Sequence, residues 1–289
     1  MHLLLIRHGE SVDNVAGLYA GSRDSALTNH GVLQARRLGA HLVSRRDVIG
    51  PVVHIFTSNL QRAYRTAEAV ADAQRGSKAA LKKADVELTV AQLPELREKD
   101  FGSAEGVKYG VLSNGRADGS IQSDSESREA MMVRVDRFID KELTPMLKRH
   151  ASEKVAVVVV AHGIILGVLL QALVSHFPVP TASTASADGD RYGAAWSNTG
   201  VLQAKIENIS AQVRASGPMS SASTTVDCTA DQSRLTIVIQ GTNLTDHLNG
   251  LKKTRGGIGS AKFDSRQQTL TAFFTPTSKK RKAEDDLSQ

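Results

Sequence analysis

The chain has 289 residues with an ordinary hydrophobic content of 40%, enough for one large or two small globular domains. Its single cysteine, Cys228, excludes an internal disulfide framework and suits a reducing compartment. The net charge of +6 is unevenly distributed, because nine Lys or Arg and four Asp or Glu lie from residue 250 onward. Residues 1–249 therefore carry a net charge of only +1, which argues against strong nucleic-acid binding by this part of the protein.

The first element is a short apolar run, Leu3–Ile6, which predicts a buried strand that ends at Arg7, His8 and Gly9. Ligands of open α/β sheets bind beyond the carboxyl ends of strands. An arginine binds phosphate oxygens through its planar guanidinium, and a neutral imidazole beside it is a competent nucleophile toward phosphorus. The plain alternative is a buried strand that ends in Arg-His by chance. The apolar start is too short for a signal peptide, so we expect none.

A helix over about 29–45 follows, with Thr28 as its N-cap. The run Val52–Phe56 predicts a second strand, and we expect Thr57-Ser58 to cap a helix that continues to about Ala73. Arg62 then lies in the first or second turn of that helix. Anions are favoured near helix N-termini, so this arginine becomes a second candidate for phosphate binding.

The middle of the chain is more polar. We expect a basic loop over 74–84, a strand over Val86–Val90 and a Gly/Ser-rich loop over 103–124. A long helix begins near Ser125 or Ser127, with apolar residues at helical spacing, and Pro145 should kink or interrupt it.

Residues 155–174 have nearly the length of a membrane span. Their first half is β-branched, their centre is His162-Gly163 and their second half is leucine-rich, which predicts a strand, a turn and a helix, all buried. We therefore expect no membrane association.

Two strands complete the pattern, one over about 200–206 and one over Leu235–Ile239, separated by polar insertions at about 178–195 and 210–233. Alternating buried strands and helices predict an α/β fold, a three-layer sandwich with a mainly parallel sheet between helices. The expected domain organisation is one domain over residues 1–249 and a disordered basic tail over 250–289.

Five separated motifs occur in order: LIRHGESVDN from Leu5, LTNHGVLQARRLG from Leu27, SNLQRAYRTAE from Ser58, EKDFGSAEG from Glu98 and AHG from Ala161. Together they resemble the histidine phosphatase superfamily, also called phosphoglycerate mutase-like, over about residues 1–206. A weaker similarity extends to residues 241–243 and to His247-Leu248.

The resemblance implies a role for each matching residue. His8 would attack phosphorus and carry a phosphohistidine intermediate, while Glu98 would protonate the leaving oxygen and later deprotonate water. Glu95 is the rival for that role. The phosphate-binding residues would be Arg7, Arg62, His162 and Asn14. No metal or cofactor is required. His30, His41, His54, His150, His176 and His247 match no role and are expected to be structural or exposed.

Mutase and phosphatase chemistry can be separated in part. The sugar-phosphate mutases of this family usually carry Trp before the signature Asn, where this chain has Asp13, and they use adjacent arginines to bind a second acidic group. Here Lys108 and Arg116 lie well apart. Hydrolysis of a phosphorylated small molecule or phosphoprotein is therefore favoured. A phosphomutase, and a non-catalytic module that binds phosphate or a phosphopeptide, remain the alternatives.

The tail contains two short motifs. Residues 267–274 fit QxxLxxFF and resemble a PIP box, the motif that binds the sliding clamp PCNA; the alternative is that they pack on their own domain. The binding residues would be Gln267, Leu270, Phe273 and Phe274. A basic run follows and predicts a nuclear localisation signal: Lys279, Lys280, Arg281 and Lys282. We therefore expect a nuclear enzyme tethered to PCNA, with the cytoplasm open as a second location.

Overall fold

The computed structural model describes residues 1–77, 88–110, 124–178, 195–208, 235–253 and 258–264. These residues form six strands: β1 (His2–Arg7), β2 (Val52–Ser58), β3 (Thr89–Leu93), β4 (Ala156–Ala161), β5 (Val201–Asn208) and β6 (Leu235–Leu244). The helices are α1 (Val12–Ala16), α2 (Asn29–Ser44), α3 (Arg46–Ile49), α4 (Gln61–Arg75), α5 (Arg128–Phe138), α6 (Thr144–His150) and α7 (Gly163–His176).

The strands form one mixed sheet in the order β3-β2-β4-β1-β5-β6. The first four strands in this order are parallel, and β5 and β6 add two antiparallel pairings at one side. Arg7 at the end of β1 is in register with Ala161 at the end of β4. The predicted α/β class with a mainly parallel sheet between helices is confirmed, and the two central strands end at the same point.

Both faces of the sheet are covered, as continuous apolar strands require. Leu3 and Leu5 of β1 pack in a cluster with residues of α5 and α7. Leu4 and Ile6 point to the opposite face and pack in a second cluster with residues of α2 and α4. All six residues of β4 are buried, so the end of this strand is fixed from both sides.

Several predicted elements are confirmed and two details change. Thr28 caps α2 through the N–H of Gly31, as expected. The predicted cap of α4 is wrong, because Thr57 and Ser58 are the last residues of β2 and the N-cap position is Leu60. Of the strand expected over Val86–Val90, residues 86–87 lie outside the described residues; the described strand comprises Thr89–Leu93 and so continues further than expected.

The long helix is interrupted near Pro145, as predicted. A π-helical turn over Ile139–Leu143 separates α5 from α6, and Pro145 stands in the first turn of α6, where its missing N–H is tolerated. The strand, turn and helix expected within residues 155–174 are present as β4, His162 and α7. Within the described ranges, no helix combines the length and the apolar character needed to cross a bilayer.

A stretch beyond the expected domain end at residue 249 contacts the domain. Ile258–Ser260 form a 3₁₀ turn, the N–H of Asn29 donates to the carbonyl of Ala261, and the N–H of Phe263 donates to that of Leu27. The described residues 258–264 therefore lie against the segment that leads into α2.

Candidate active site

The ends of β1 and β4 bring two histidines together. His8 follows Arg7, His162 follows Ala161, and the N–H of His8 donates to the carbonyl of Ala161 at 3.0 Å. The two imidazole centroids are 5.0 Å apart. The parallel register of the two strands is therefore sufficient to form the centre of the site.

His8 is buried, and its ring has a defined tautomer. Its Nδ1 lies 2.6 Å from the carbonyl oxygen of Gly9, which can only accept, so Nδ1 carries the proton and Nε2 keeps its lone pair. Burial lowers the pKa of His8 well below its usual value, and the nearby Arg62 and Arg7 charges lower it further. This imidazole is therefore neutral over the physiological range.

The loop after His8 packs too closely against the start of α2 for a side chain at Gly9. A Cβ there would approach the carbonyl oxygen of Gly31 to 2.6 Å. The N–H of Gly9 donates to the hydroxyl of Thr66, which in turn donates to the carbonyl of Arg62. Gly9 and Gly31, which belong to two different motifs of the sequence, therefore together allow this loop to approach α2 so closely.

Arg62 is almost completely buried, with 1% of its surface exposed. Its Nη1 donates to the carbonyl of Arg23 at 2.6 Å, its Nη2 donates to that of Gly21 at 2.7 Å, and its Nε donates to His162 Nδ1 at 3.1 Å. Burial lowers the pKa of Arg62, and Glu98, Asp13 and Asp24 partly oppose that effect. One N–H on each terminal nitrogen remains for a ligand.

Both ring nitrogens of His162 bond to protein groups. Nδ1 accepts from Arg62, so Nε2 carries the proton and donates to the hydroxyl of Ser58 at 2.9 Å. The residue has no exposed surface, and burial lowers its pKa well below the usual value, with the charge of Arg62 next in size. His162 therefore lies behind Arg62 and fixes its orientation.

Arg7 presents an unsatisfied donor to the site. Its Nη1 donates to the carbonyl of Trp196 at 2.5 Å, whereas its Nε is buried and has no hydrogen-bond partner among the described residues. A buried charged donor without an acceptor is costly, and an anion beside His8 would remove that cost.

The two candidate carboxylates lie in different places. Glu98 lines the cavity beside His8, and its oxygens accept from the N–H groups of Ile164 and Ile165 in the first turn of α7. Glu95 lies in a 3₁₀ turn over Pro94–Leu96 and is not among the described lining residues. Of the two candidate carboxylates, Glu98 is therefore the one among the described lining residues of the cavity.

Arg134 of α5 fixes the segment that carries Glu98, a role that the sequence analysis missed. Its guanidinium donates to the carbonyls of Glu95, Arg97 and Glu98 and forms a 2.7 Å ion pair with Glu126. The helical spacing of α5 indicated a core helix but gave no sign of a buried arginine on it.

Asn14 reaches the cavity from α1. Its Oδ1 accepts from the N–H of Ser11 and from Nδ2 of Asn198. Because the oxygen has two donors, the amide nitrogen is the group that can donate toward a ligand. Asn198 also donates to the carbonyl of His8 at 3.2 Å, another contact that the sequence analysis missed.

A turn over residues 197–200 supports the backbone of Arg7 and His8. Thr199 adopts a φ of +58°, unusual for a residue with a side chain, and its N–H donates to the carbonyls of Arg7 and His8. Nε2 of His247 lies 2.9 Å from the hydroxyl of Thr199, and Asn243 bonds Ser197 through both ends of its amide. His247, expected to be structural or exposed, is thus part of this support.

The resulting cavity has a volume of about 390 Å³. The described lining residues are Arg7, His8, Asn14, Tyr19, Ala20, Gly21, Arg62, Glu98, Phe101, Tyr109, Gly163, Ile164 and Trp196. Five of the six residues proposed for phosphate chemistry are among them, and the sixth, His162, lies directly behind Arg62. The aromatic members were not predicted as site residues.

Other predicted features lie outside the described residues. They are the tail residues Gln267, Leu270, Phe273 and Phe274, the basic run 279–282, Arg116, and most of the three polar insertions.

We compared the sequence with known protein families and with individual proteins, and both comparisons give matches. Residues 3–188 match the model for "Histidine phosphatase superfamily (branch 1)". A "Probable phosphatase" of Schizosaccharomyces pombe is 30% identical over 93% of this chain and 78% of its own length. A "Probable phosphoglycerate mutase GpmB" of Erwinia tasmaniensis is 34% identical over 60% of this chain and 74% of its own.

Solved structures share the fold. "Mycobacterial hydrolase 1" gives a TM-score of 0.59 at 20% identity, covering 84% of this chain and 99% of that one. A mycobacterial glucosyl-3-phosphoglycerate phosphatase gives 0.56 at 21% identity, covering 84% and 98%.

Proposed function

Since the chain belongs to the histidine phosphatase superfamily, we propose that it is a metal-independent phosphomonoesterase that works through a phosphohistidine on His8. One observation carries the proposal: His8 is buried between Arg7 and Arg62 with its Nδ1 proton bonded to Gly9, so the Nε2 lone pair is available at neutral pH. A neutral nucleophile beside two cationic groups suits attack on a phosphate dianion.

In the first step, Nε2 of His8 forms a bond to phosphorus in line with the ester oxygen, and the P–O bond to the alcohol breaks. Glu98 transfers a proton to the departing oxygen. The ring of His8 becomes positively charged, and the carbonyl of Gly9 accepts from Nδ1 throughout. Arg7 and Arg62 donate to the non-bridging oxygens, on which charge is spread in the transition state.

In the second step, the carboxylate of Glu98 takes a proton from a water molecule, whose oxygen attacks phosphorus. The N–P bond breaks, inorganic phosphate leaves, and neutral His8 and protonated Glu98 are restored. Asn14 adds a donor through its amide nitrogen, and His162 contributes by fixing Arg62.

Hydrolysis is favoured over group transfer because few cationic groups face the cavity. In the described part of its lining, the cationic residues are Arg7 and Arg62, both beside the nucleophile. Lys108 does not line it, and Asp13 is buried next to Arg23. A second acidic group on the substrate would therefore meet no further cationic residue among the described lining residues.

The tail motifs add a proposal that rests on sequence alone. We propose that residues 267–274 bind PCNA and that residues 279–282 direct the protein to the nucleus. A peptide of residues 262–282 titrated onto PCNA tests the first part. Equal binding by a peptide with Phe273→Ala and Phe274→Ala, or no binding by either peptide, would refute it.

The enzyme proposal is tested by phosphate release from a broad panel of phosphomonoesters, with EDTA present. We expect release that disappears in His8→Ala, together with an acid-labile phosphoryl label on the wild-type protein. Release that persists in folded His8→Ala, or phosphoryl transfer from a bisphosphate donor to an acceptor in place of release, would contradict it.

A further inference from the structure

Aromatic side chains are concentrated around the cavity. The chain has twelve Phe, Tyr and Trp residues, and four of them line this one cavity: Tyr19, Phe101, Tyr109 and Trp196. At the chain's average of 4% aromatic residues, fewer than one would be expected among the thirteen described lining residues. The site therefore offers ring faces as well as charge.

Tyr19 is the centre of an aromatic cluster. Its ring centroid lies 4.8 Å from that of Phe101 and 4.5 Å from that of Tyr109, the latter edge to face at 83°. Tyr109 is 54% exposed and Ile164 is 41% exposed, although both are large apolar side chains. This wall presents apolar surface to the cavity that a ligand could cover.

The wall is fixed by its backbone. The N–H of Tyr19 donates to the carbonyl of Val107, that of Gly106 donates to the carbonyl of Tyr19, and that of Tyr109 donates to the carbonyl of Gly17. Two loops distant in sequence thus form a short paired segment. A ring entering the cavity would meet a preformed surface, which lowers the entropic cost of binding.

The aromatic wall adjoins the reacting groups. Burial raises the pKa of the Tyr109 hydroxyl, and the charges of Arg7 and Glu98 lie close enough to affect it further. Lys99 lies over the Phe101 ring at 5.5 Å and directly follows Glu98. The wall therefore lines the same cavity as Arg7, His8 and Glu98.

We propose that this cavity selects phosphomonoesters in which an aromatic ring is attached at or one carbon from the ester oxygen, that is, aryl and arylmethyl phosphates. This inference rests on the proposed function and names its substrate class. The phosphoryl group is transferred to His8, and the aromatic alcohol leaves with the proton from Glu98.

The test compares benzyl phosphate with cyclohexylmethyl phosphate, which have similar size and both release a primary alcohol. We expect kcat/KM to favour benzyl phosphate about fivefold, from the additional stabilisation of aromatic pairs. Tyr19→Leu and Tyr109→Leu should bring that ratio toward one. Tyr64→Leu is the matched control, because the Tyr64 ring contacts Arg65 and does not line the cavity.

Binding of the two corresponding phosphonates, benzylphosphonate and cyclohexylmethylphosphonate, measured by calorimetry, tests the inference without turnover. We expect the same preference, lost in the two wall variants and kept in Tyr64→Leu. Equal affinity for the two phosphonates overturns the inference, even if both esters are hydrolysed through His8. Ring-selective binding without His8-dependent hydrolysis of either ester would instead overturn the proposed function alone.

Discussion

The turns after β1 and β4 each place a buried histidine at the same end of the sheet, yet the two rings are bonded differently. His8 uses one nitrogen for the carbonyl of Gly9 and leaves the other free. His162 uses both, one accepting from Arg62 and one donating to Ser58. Position alone does not distinguish the two residues. Their hydrogen bonds support the proposal that His8, and not His162, is the nucleophile.

The largest effect is expected from replacing His8, and it distinguishes the turn after β1 from the turn after β4. His8→Asn should lower kcat/KM by about 10⁴-fold or more, because it removes the proposed nucleophile. The acid-labile phosphoryl label should disappear, while the folded state remains, as measured by circular dichroism. A label that persists in this variant would place the nucleophile elsewhere.

The next prediction concerns the carboxylate bonded to the turn after β4. Glu98→Gln should lower kcat/KM by about 10³-fold for alkyl phosphates, and less for aryl phosphates, whose leaving group depends less on protonation. Glu95→Gln is the matched control and should stay within about twofold of wild type. Steady-state kinetics on both ester types measures this, and the reverse order of effects would restore Glu95 as the acid.

A smaller loss is expected at the second histidine. His162→Asn should lower kcat/KM by about 10²-fold, because Arg62 loses the acceptor that orients it. Unlike His8→Asn, it should also lower the free energy of unfolding by about 1–3 kcal/mol, since two buried groups lose a partner. Urea unfolding of both variants checks this. Equal stability of the two variants would mean that the bonds of His162 are not structural.

Both histidines should affect stability in acid. Burial lowers the pKa of His8 and of His162 well below the usual value, so the unfolded chain binds protons below about pH 6.5 while the folded protein does not. The free energy of unfolding should therefore fall as pH falls, by up to about 1.4 kcal/mol per pH unit for each histidine.

Urea unfolding between pH 5 and pH 7 measures this slope. His8→Asn and His162→Asn should each reduce this slope by the contribution of one histidine. A wild-type slope in both variants would show that neither ring is the source of the acid sensitivity.

The smallest effect is expected at His247, which contacts Thr199 and so supports the backbone of the turn after β1. Burial lowers the pKa of His247 to about 4, so at neutral pH its ring is neutral, and its Nε2–H donates to the hydroxyl of Thr199. His247→Ala should lower kcat/KM about fivefold, the value of one hydrogen bond, whereas His247→Gln keeps a donor and should lose less. Equal kcat/KM for His247→Ala and His247→Gln would contradict the idea that the hydrogen bond from His247 to Thr199 supports this turn.

Local patterns predicted much of the fold. The apolar runs of β1 and β4 and the Thr28 cap depend on neighbours in sequence, and the structure has them as expected. The expected cap at Ser58 is wrong because α4 begins at Gln61, two residues too late for it; the Ser58 hydroxyl accepts from the N–H of Leu60 and from His162, more than a hundred residues away. A propensity rule cannot anticipate such a partner.

The same distinction holds for the site. Arg7, His8, Arg62 and Glu98 were found because each belongs to a motif. Trp196, Asn198 and Thr199 were missed because they follow a polar stretch and gain their roles only through contacts with Arg7, His8 and Asn14. Resemblance identified the reacting groups, whereas the residues that orient them became visible only in three dimensions.

The central position of β1 has a consequence for biosynthesis. The strand that ends just before His8 is synthesised well before its neighbours in the sheet, β4 and β5. A nascent chain that stops before Ser197 contains all five signature motifs and still lacks the antiparallel strand beside β1 and the turn whose Thr199 N–H bonds the backbone of Arg7 and His8. On the proposed function, we expect such a truncated product to carry His8 without activity, because the backbone contacts that hold His8 in place are missing.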